Sequence, residues 1–168
     1  MRLVILGAGG YGQTVADVAS QLKRYNEILF LDDNAISAVG KCEDYKEYLD
    51  SEFEIYPAFG NNEMRLEWIN CLLEEGARVP TIIHPTAYVS PSVVVECGNV
   101  ILPNAVVNTS CYLGKGCIIN CGAIIDHGCV MEDGVHICLG AIVKGDNRIK
   151  KCIKIEAGEV IPARKYPV

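Results

Sequence analysis

CIINCGAIIDHGCVMEDGVHIC, residues Cys117–Cys138, carries an aliphatic residue or Met at every sixth position. The same spacing extends from Ile83 to Ile161, and all 14 positions of the series are Ile, Leu, Val or Met. Only about one residue in three or four is of these types in ordinary proteins, so chance does not explain the series. The positions are Ile83, Val89, Val95, Ile101, Val107, Leu113, Ile119, Ile125, Met131, Ile137, Val143, Ile149, Ile155 and Ile161.

A period of six matches neither a helix nor one long strand. It predicts short strands, each followed by a turn, that coil so that every sixth side chain points to a common interior. Small residues stand four positions after members of the series, at Ala87, Ala105, Cys111, Cys117, Ala123, Cys129 and Ala141. Turn-forming residues stand three positions after it, at Gly98, Asn104, Gly116, Gly122, Gly128, Gly134 and Gly140. With three hexads in each coil, the 14 hexads predict a short β-helix of about four to five coils.

The same segment holds four cysteines and two histidines, which at first sight suggests a zinc site. A tetrahedral zinc needs four ligands that converge on one point at about 2.0–2.3 Å. The hexads distribute these side chains over different faces, and Cys117 and Cys129 fall in the small inward column. A zinc ion shared between subunits would need His84, which lies more than two coils before His127. The sequence therefore predicts core packing for the cysteines and no metal site.

The composition is that of a folded protein of 168 residues, half of them hydrophobic, with a formal net charge of −6. No apolar stretch approaches the length of a membrane span and no leader pattern is present, so we expect a cytoplasmic protein without membrane contact. The nine cysteines lack the spacing of a secreted scaffold, and we expect free thiols. Residues 1–80 carry 7 basic against 14 acidic residues, which excludes a general nucleic-acid surface.

The first half of the chain begins as an apolar strand, a glycine-rich turn and a helical pattern. Gly7, Gly9 and Gly12 fit G-x-G-x-x-G, in which backbone N–H groups at a helix start can approach phosphates. A second apolar strand ends in Asp32 and Asp33, where a dinucleotide fold places an acidic ribose contact. Two alternatives remain open: the glycines serve only close helix packing, or the domain belongs to an NAD-dependent oxidoreductase. About 80 residues suffice for one mononucleotide-binding half only.

Residues 53–80 predict a strand, a loop and an amphipathic helix, with Met64 and Leu73 on the apolar side and Arg65 on the polar side. This helix completes an α/β domain. The sequence thus predicts two domains: a Rossmann-like nucleotide-binding domain over residues 1–80 and a β-helix over residues 81–168.

Five motifs in this order resemble one family: GAGGYG (7–12), FLDDN (30–34), GNNEMR (60–65), IIHPTAYVSPSVVV (82–95) and IIDHGCV (124–130). They look like the sugar acyltransferases that modify sialic acid or N-acetylate UDP-4-amino-sugars on the way to bacillosamine, and the likeness extends to about Val143. The resemblance implies a left-handed β-helix, an acetyl-CoA co-substrate, no metal, and a homotrimer whose CoA lies in the groove between adjacent prisms.

The resemblance also implies roles for individual residues. His127 would be the general base, with Asp126 beside it to orient the ring. His136, Asn120 and Lys144 would bind acetyl-CoA. The nucleotide-sugar or sialic acid substrate would lie against Gly9, Gly10, Tyr11, Asp32, Asp33, Gly60 and Asn61.

The sequence departs from the family at three places. Tyr11 stands where the family often has His, and Gly128 stands where an acidic residue often follows the base. The family also continues for more coils, whereas residues 144–168 are rich in Lys and Arg. That basic segment suits either the phosphates of a compact polyanion such as CoA or a solvated surface.

Two functions of different class follow. The first is a trimeric, acetyl-CoA-dependent sugar O- or N-acetyltransferase. The second is a non-catalytic trimer that binds a nucleotide sugar or acts as a scaffold. The first requires that a CoA thioester be consumed, and the second requires only that nucleotide bind.

Overall fold

A computed structural model of the chain describes residues 1–168, which form two separate units, Met1–Ile82 and Ile83–Val168. Each unit has its own hydrophobic core. The two α-helices, of 12 and 13 residues, both belong to the first unit. Neither helix has the length and apolar composition that crossing a bilayer requires.

The first unit is a three-stranded parallel sheet with helices. Its elements in chain order are β1 (Arg2–Leu6), α1 (Gly10–Gln21), β2 (Glu27–Leu31), a 3₁₀ helix (Cys42–Tyr48), β3 (Phe53–Pro57) and α2 (Asn62–Glu74). The strand order is β2-β1-β3, so that β1 is central. β1 is buried from Leu3 to Leu6, as expected for a parallel strand that is covered on both faces.

Helix α1 packs through the face that the sequence predicts. Val15, Val18 and Ala19 are buried. The helix also approaches the glycine turn very closely, since a Cβ built on Gly12 would lie 2.0 Å from the carbonyl oxygen of Gly7. No side chain other than hydrogen fits at position 12, and this glycine is therefore required by packing.

Helix α2 differs from its sequence prediction in which side it buries. Asn61 caps its start, since the side-chain Oδ1 accepts the N–H of Met64 at 2.8 Å. The predicted polar side was wrong for Arg65, which is fully buried, whereas Met64 and Leu73 are exposed. The buried guanidinium is stabilised by hydrogen bonds, because Nη1 donates to the carbonyl of Phe59 and Nη2 to Oδ1 of Asn62, both at 3.0 Å.

The second unit is a parallel β-helix of fourteen two-residue strands. They are β4 (Ile82–Ile83), β5 (Tyr88–Val89), β6 (Val94–Val95), β7 (Val100–Ile101), β8 (Val106–Val107), β9 (Tyr112–Leu113), β10 (Ile118–Ile119), β11 (Ile124–Ile125), β12 (Val130–Met131), β13 (His136–Ile137), β14 (Ile142–Val143), β15 (Arg148–Ile149), β16 (Lys154–Ile155) and β17 (Val160–Ile161).

Strands 18 residues apart pair in parallel register, which produces three sheets. Their orders are β16-β13-β10-β7-β4, β17-β14-β11-β8-β5 and β15-β12-β9-β6. The six-residue series forms the interior, buried from Ile101 to Ile161, while Ile83, Val89 and Val95 are partly buried against it. The predicted stack of short parallel strands is confirmed.

Most turns between strands contain one residue with a left-handed backbone. Glycine takes this conformation at 98, 116, 122, 128, 134, 140 and 158. Non-glycine residues take it at Asn104, Ser110, Asp146, Cys152 and Arg164, with φ between 56° and 59°. Each L-residue in this conformation costs on the order of 1–2 kcal/mol, which is why glycine predominates.

Candidate active site

His127 lies in the turn that leaves β11, and four further residues surround its ring. The ring rests on Gly145, one coil later, where an added Cβ would lie 2.7 Å from Cε1 and 2.8 Å from Nε2. Nδ1 of His127 is 3.7 Å from Oδ1 of Asp146. Nε2 is 3.9 Å from Oδ2 of Asp126. Both separations exceed a hydrogen bond but lie within ion-pair range, so each ring nitrogen faces a carboxylate.

Asp146 is held in place by Arg164 from the following coil. Nη2 and Nε of Arg164 lie 3.0 Å and 3.1 Å from Oδ2 of Asp146. Because Arg164 engages Oδ2, the other oxygen of Asp146 is directed to His127. A Cβ built on Gly128 would meet that oxygen at 2.5 Å, so residue 128 has no room for a side chain unless Asp146 moves.

Asp126 is engaged by its own turn. Its Oδ1 accepts the backbone N–H of His127 at 2.8 Å and Nδ2 of Asn108 at 3.3 Å. The hydrogen bond from the N–H of His127 is the main reason that the pKa of Asp126 lies below its ordinary value. Asp126 therefore carries its negative charge beside the ring and fixes the backbone on which His127 stands.

A second polar pair is formed by Asn120 and His136. Oδ1 of Asn120 accepts the N–H of Cys121 at 2.8 Å, which directs its amide nitrogen to Nε2 of His136 at 3.2 Å. The amide donates to Nε2, and the proton of a neutral imidazole then lies on Nδ1. His136 is thereby fixed as a hydrogen-bond donor at Nδ1.

The structure brings Asp126, His127 and Lys144 into neighbouring turns but keeps His136 apart from them. Lys144 is exposed and directly follows β14, which pairs with β11. His136 belongs to β13, in the sheet of β10, whereas the turn of His127 leaves the sheet of β11. The sheet of β11 lies between the two groups along the chain, because Asn120 precedes that strand and His127 follows it.

That intervening sheet, β17-β14-β11-β8-β5, carries an outward row of apolar side chains, which we call the apolar row. It consists of Tyr88, Val106, Ile124, Ile142 and Val160. Tyr88, Ile124 and Val160 are 54%, 38% and 48% exposed. The other two sheets carry charged outward residues in this register, Lys154 and Arg148. The apolar row is therefore the surface most suited to association.

In the first unit, the three predicted motifs follow three parallel strands. The glycine turn follows β1, Asp32 and Asp33 follow β2, and Gly60 and Asn61 follow β3 closely. The carboxyl ends of parallel strands share one edge, and ligands of open α/β sheets bind there, at the point where strand order reverses. Here that point lies between β1 and β3.

The glycines at this edge have different surroundings. A Cβ on Gly9, Gly10 or Gly60 would meet no atom within 4 Å, so their backbones border open space. Gly9 is the N-cap of α1 and has no side-chain cap, which leaves the first N–H groups of the helix to other partners. This arrangement suits a phosphate group.

The two aspartates also differ. Asp32 accepts the N–H of Ala8 at 2.8 Å through Oδ2, and those of Asn34 and Ala35 at 2.8 Å and 2.9 Å through Oδ1. The bond from Ala8 is the largest cause of its lowered pKa. Asp32 thus joins the loops after β1 and β2. Asp33 is exposed and accepts the N–H of Cys42 at 3.1 Å.

Tyr11 stands at the start of α1 and contacts β3. Its hydroxyl lies 2.8 Å from that of Tyr56, and the two rings meet edge to face. Burial of the hydroxyl is the main cause that raises the pKa of Tyr11, so the group is neutral. Arg65 supports the same region by holding the carbonyl of Phe59, which precedes Gly60.

The cysteines pack as the sequence predicts. Cys111, Cys117 and Cys129 are buried in the core of the β-helix, and all nine cysteines of the chain are free thiols. No three His, Cys, Asp or Glu side chains are arranged to hold a metal ion.

A family model described as PglD N-terminal domain matches residues 2–72. The acetyltransferase domain of PglB from Neisseria gonorrhoeae FA1090 is 36% identical to this chain, with a TM-score of 0.89 over 95% of this chain and 81% of that one. Its structure in complex with acetyl coenzyme A matches equally well, at 36% identity and a TM-score of 0.89 over 95% and 80% of the two chains.

The chain belongs to this family of acetyltransferases. The prediction of an acyltransferase is confirmed. A mutant of perosamine N-acetyltransferase from Caulobacter crescentus, in complex with CoA and GDP-perosamine, is 17% identical over 98% of this chain and 91% of that chain. Its TM-score of 0.64 shows that the two proteins share the fold.

Sequence reasoning missed four residues that build this acetyltransferase site. Gly145 and Asp146 stand 18 residues after His127 and Gly128, and the 18-residue coil was the signal that could have found them. Arg164 follows Asp146 by the same interval. Tyr56 gave no signal, because a tyrosine inside an apolar strand is usually a core residue.

Proposed function

We propose that the protein is an acetyl-CoA-dependent sugar O- or N-acetyltransferase in which His127 is the general base. The observation that carries the proposal is the turn of His127, where an exposed imidazole is held between two carboxylates on a glycine floor. We assign a left-handed coil to the β-helix and a Rossmann-like, nucleotide-binding role to the first unit. The 36% identity to the PglB domain supports these assignments.

The acceptor is a sugar linked to a nucleotide, bound at the carboxyl edge of the first sheet. Gly9, Gly10 and Gly60 border open space there, which allows a phosphate to approach the backbone at the start of α1. Tyr11, Asn61 and Asp33 supply side chains around it. Asp32 acts mainly through the loops that it joins. A nucleotide sugar in the distant perosamine relative is consistent with this class of substrate.

The chemistry assigned to the β-helix follows from the two histidines. Nε2 of His127 accepts the proton of the acceptor hydroxyl or amine, which then attacks the thioester carbonyl. Nδ1 of His136, fixed as a donor by Asn120, stabilises the negative charge that develops near the acetyl group. Lys144 meets the phosphates of acetyl-CoA. His127 finally returns its proton to the departing CoA sulfur, which leaves as a thiol.

This assignment requires a second copy of the chain. His127 and the Asn120–His136 pair lie on either side of the apolar row and do not meet within one β-helix. Packing of apolar rows around a threefold axis would bring His127 of one subunit beside His136 of the next. We therefore propose a homotrimer with the acetyl-CoA site between subunits.

The activity is tested by CoA release, measured by chromatography because the free thiols would react with a thiol dye. UDP-4-amino-sugars, GDP-4-amino-sugars and sialic acids are the acceptor panel. His127→Ala is expected to reduce turnover at least a hundredfold. The matched control is His84→Asn, because His84 bonds within its own turn through Nδ1, 2.9 Å from Oγ1 of Thr86. Nucleotide-sugar binding without turnover would favour a non-catalytic trimer instead.

The assembly is tested separately by Ile124→Asp, which places a charge in the centre of the apolar row. Light scattering is expected to show a trimer for the wild type and a monomer for the variant, with loss of turnover. Tyr112→Asp is the control, because Tyr112 has the same outward position on another sheet. A monomeric wild type would contradict the shared site.

A further inference from the structure

Position 128 is where this chain departs from the sugar acyltransferases it resembles, since glycine stands where an acidic residue often follows the histidine. A Cβ built on Gly128 would lie 2.5 Å from Oδ1 of Asp146. Position 146 is the same turn position one coil later, and Asp146 shares the left-handed backbone of Gly128. The carboxylate of Asp146 thus occupies the space that a side chain at 128 would otherwise fill.

We propose that Asp146 is a positioning residue for His127, and that it supplies from the next coil the carboxylate that position 128 lacks. The inference rests on the proposed function, in which His127 is the base. Oδ1 of Asp146 faces Nδ1 of His127 at 3.7 Å. A carboxylate on that side favours the tautomer with the proton on Nδ1, which leaves on Nε2 the lone pair that a base needs.

Arg164 makes this orientation specific. It engages only Oδ2 of Asp146, through two nitrogens at 3.0 Å and 3.1 Å, and thereby turns Oδ1 to the ring. The charged groups around the imidazole are then Asp146 on the Nδ1 side, Asp126 on the Nε2 side at 3.9 Å, and Arg164 behind Asp146. The arrangement distributes one catalytic turn over three successive coils.

The first test measures the ring itself and needs no substrate. The full chain has three histidines, so the ring signals can be assigned in the nuclear magnetic resonance spectrum with His84→Asn, His127→Ala and His136→Ala. In Asp146→Asn, the titration midpoint of His127 is expected to move to lower pH, because a negative charge that stabilises the protonated ring is lost. The share of the Nδ1–H tautomer is expected to fall as well.

Glu132→Gln is the matched control. Glu132 also joins neighbouring coils, since Oε1 lies 3.2 Å from Nη1 of Arg148 and Oε2 accepts the N–H of Lys151 at 3.0 Å. It faces no histidine, so the His127 titration is expected to stay unchanged in this variant. A shift of equal size in Glu132→Gln would show a general effect of charge and would overturn the proposal.

The second test uses turnover. Asp146→Asn is expected to lower kcat about 10- to 100-fold with KM within about twofold, and to move the acidic limb of the pH profile to lower pH. The double variant Gly128→Asp with Asp146→Gly returns the carboxylate to position 128. It is expected to recover at least tenfold of the lost kcat, and Asp146 itself shows that an aspartate adopts this backbone.

The outcomes separate this inference from the proposed function. If Asp146→Asn keeps the wild-type titration and kcat while His127→Ala is inactive, Asp146 has no positioning role and the base assignment stands. If kcat falls in Asp146→Asn and in the double variant with an unchanged His127 titration, Asp146 only holds the turn, and the inference is wrong. If His127→Ala keeps turnover, the proposed base fails, and the ring titration still decides whether Asp146 acts on His127.

Discussion

Gly12 in the first unit and Gly145 in the second are both glycines because another group approaches them closely, but the two groups differ. At Gly12 the neighbour is backbone, the carbonyl oxygen of Gly7, 2.0 Å from an added Cβ. At Gly145 the neighbour is a side chain, the ring of His127, 2.7 Å from an added Cβ. Backbone cannot move without disturbing its strand, whereas a half-exposed ring can rotate.

The comparison separates a glycine needed for folding from a glycine needed for geometry at a site. Both belong to motifs or turns of similar appearance, and their sequence context does not distinguish them. A methyl group at Gly12 should therefore act on stability, and a methyl group at Gly145 on rate.

Gly12→Ala is expected to have the largest effect. Because the clash is with backbone, the free energy of unfolding should fall by about 3 kcal/mol or more, which corresponds to a decrease in Tm of roughly 10 °C for a chain of this size. Thermal unfolding measures it. Gly10→Ala is the control, since its Cβ would meet no atom within 4 Å, and a similar loss there would remove the distinction.

Gly145→Ala should reverse this pattern. The methyl group displaces the imidazole, and a displacement on the order of 1 Å can cost about a hundredfold in kcat. Stability should change little, because the ring can turn outward and residue 145 has no left-handed backbone. Turnover and thermal unfolding, measured together, test the prediction. A destabilised variant with normal kcat would contradict it.

Asp32→Asn probes the loops of the first unit without a steric clash. Hydrogen bonds to a carboxylate are strong, but this one is partly exposed, so we expect a loss of about 1.5 kcal/mol. Since the native pKa of Asp32 is lowered, its contribution is present above the ordinary Asp value of about 3.9 and is lost as the pH falls through the native value. Urea unfolding should distinguish variant and wild type at pH 7 and much less at pH 3.

Gly158→Ala should have the smallest effect. Its Cβ would contact nothing within 4 Å, but φ is +69°, so only backbone strain of about 1 kcal/mol is expected. Turnover should be unchanged, because Gly158 lies outside the turns of His127 and His136. A larger loss than that of Asp32→Asn would mean that strain, not contact, dominates these glycines.

The interior of the β-helix was predictable because one physical rule repeats. Every sixth residue meets the same core, so Ile119, Ile125 and Met131 could be placed from their spacing alone. The left-handed turn residues Gly122 and Gly134 followed for the same reason. Periodicity fixes which column a residue occupies.

Periodicity did not reveal which side chains meet between columns and coils. Asp146 reaches His127 through side-chain directions that no spacing encodes, and Arg164 selects one of its two oxygens. In the first unit, the spacing of α2 misplaced Arg65, because two hydrogen bonds offset the cost of burying its charge. Sequence located the elements of the candidate site, and geometry was needed for the partners.

The parallel register of strands 18 residues apart makes length itself a modular property of this fold. Eighteen residues inserted after Arg164 would add one complete coil and leave every upstream turn in line. Six residues inserted between Gly128 and Gly145 would instead rotate all later columns by one face, so that Gly145, Asp146 and Arg164 would no longer stand above His127. The β-helix can thus be lengthened only in whole coils if its catalytic turn is to survive.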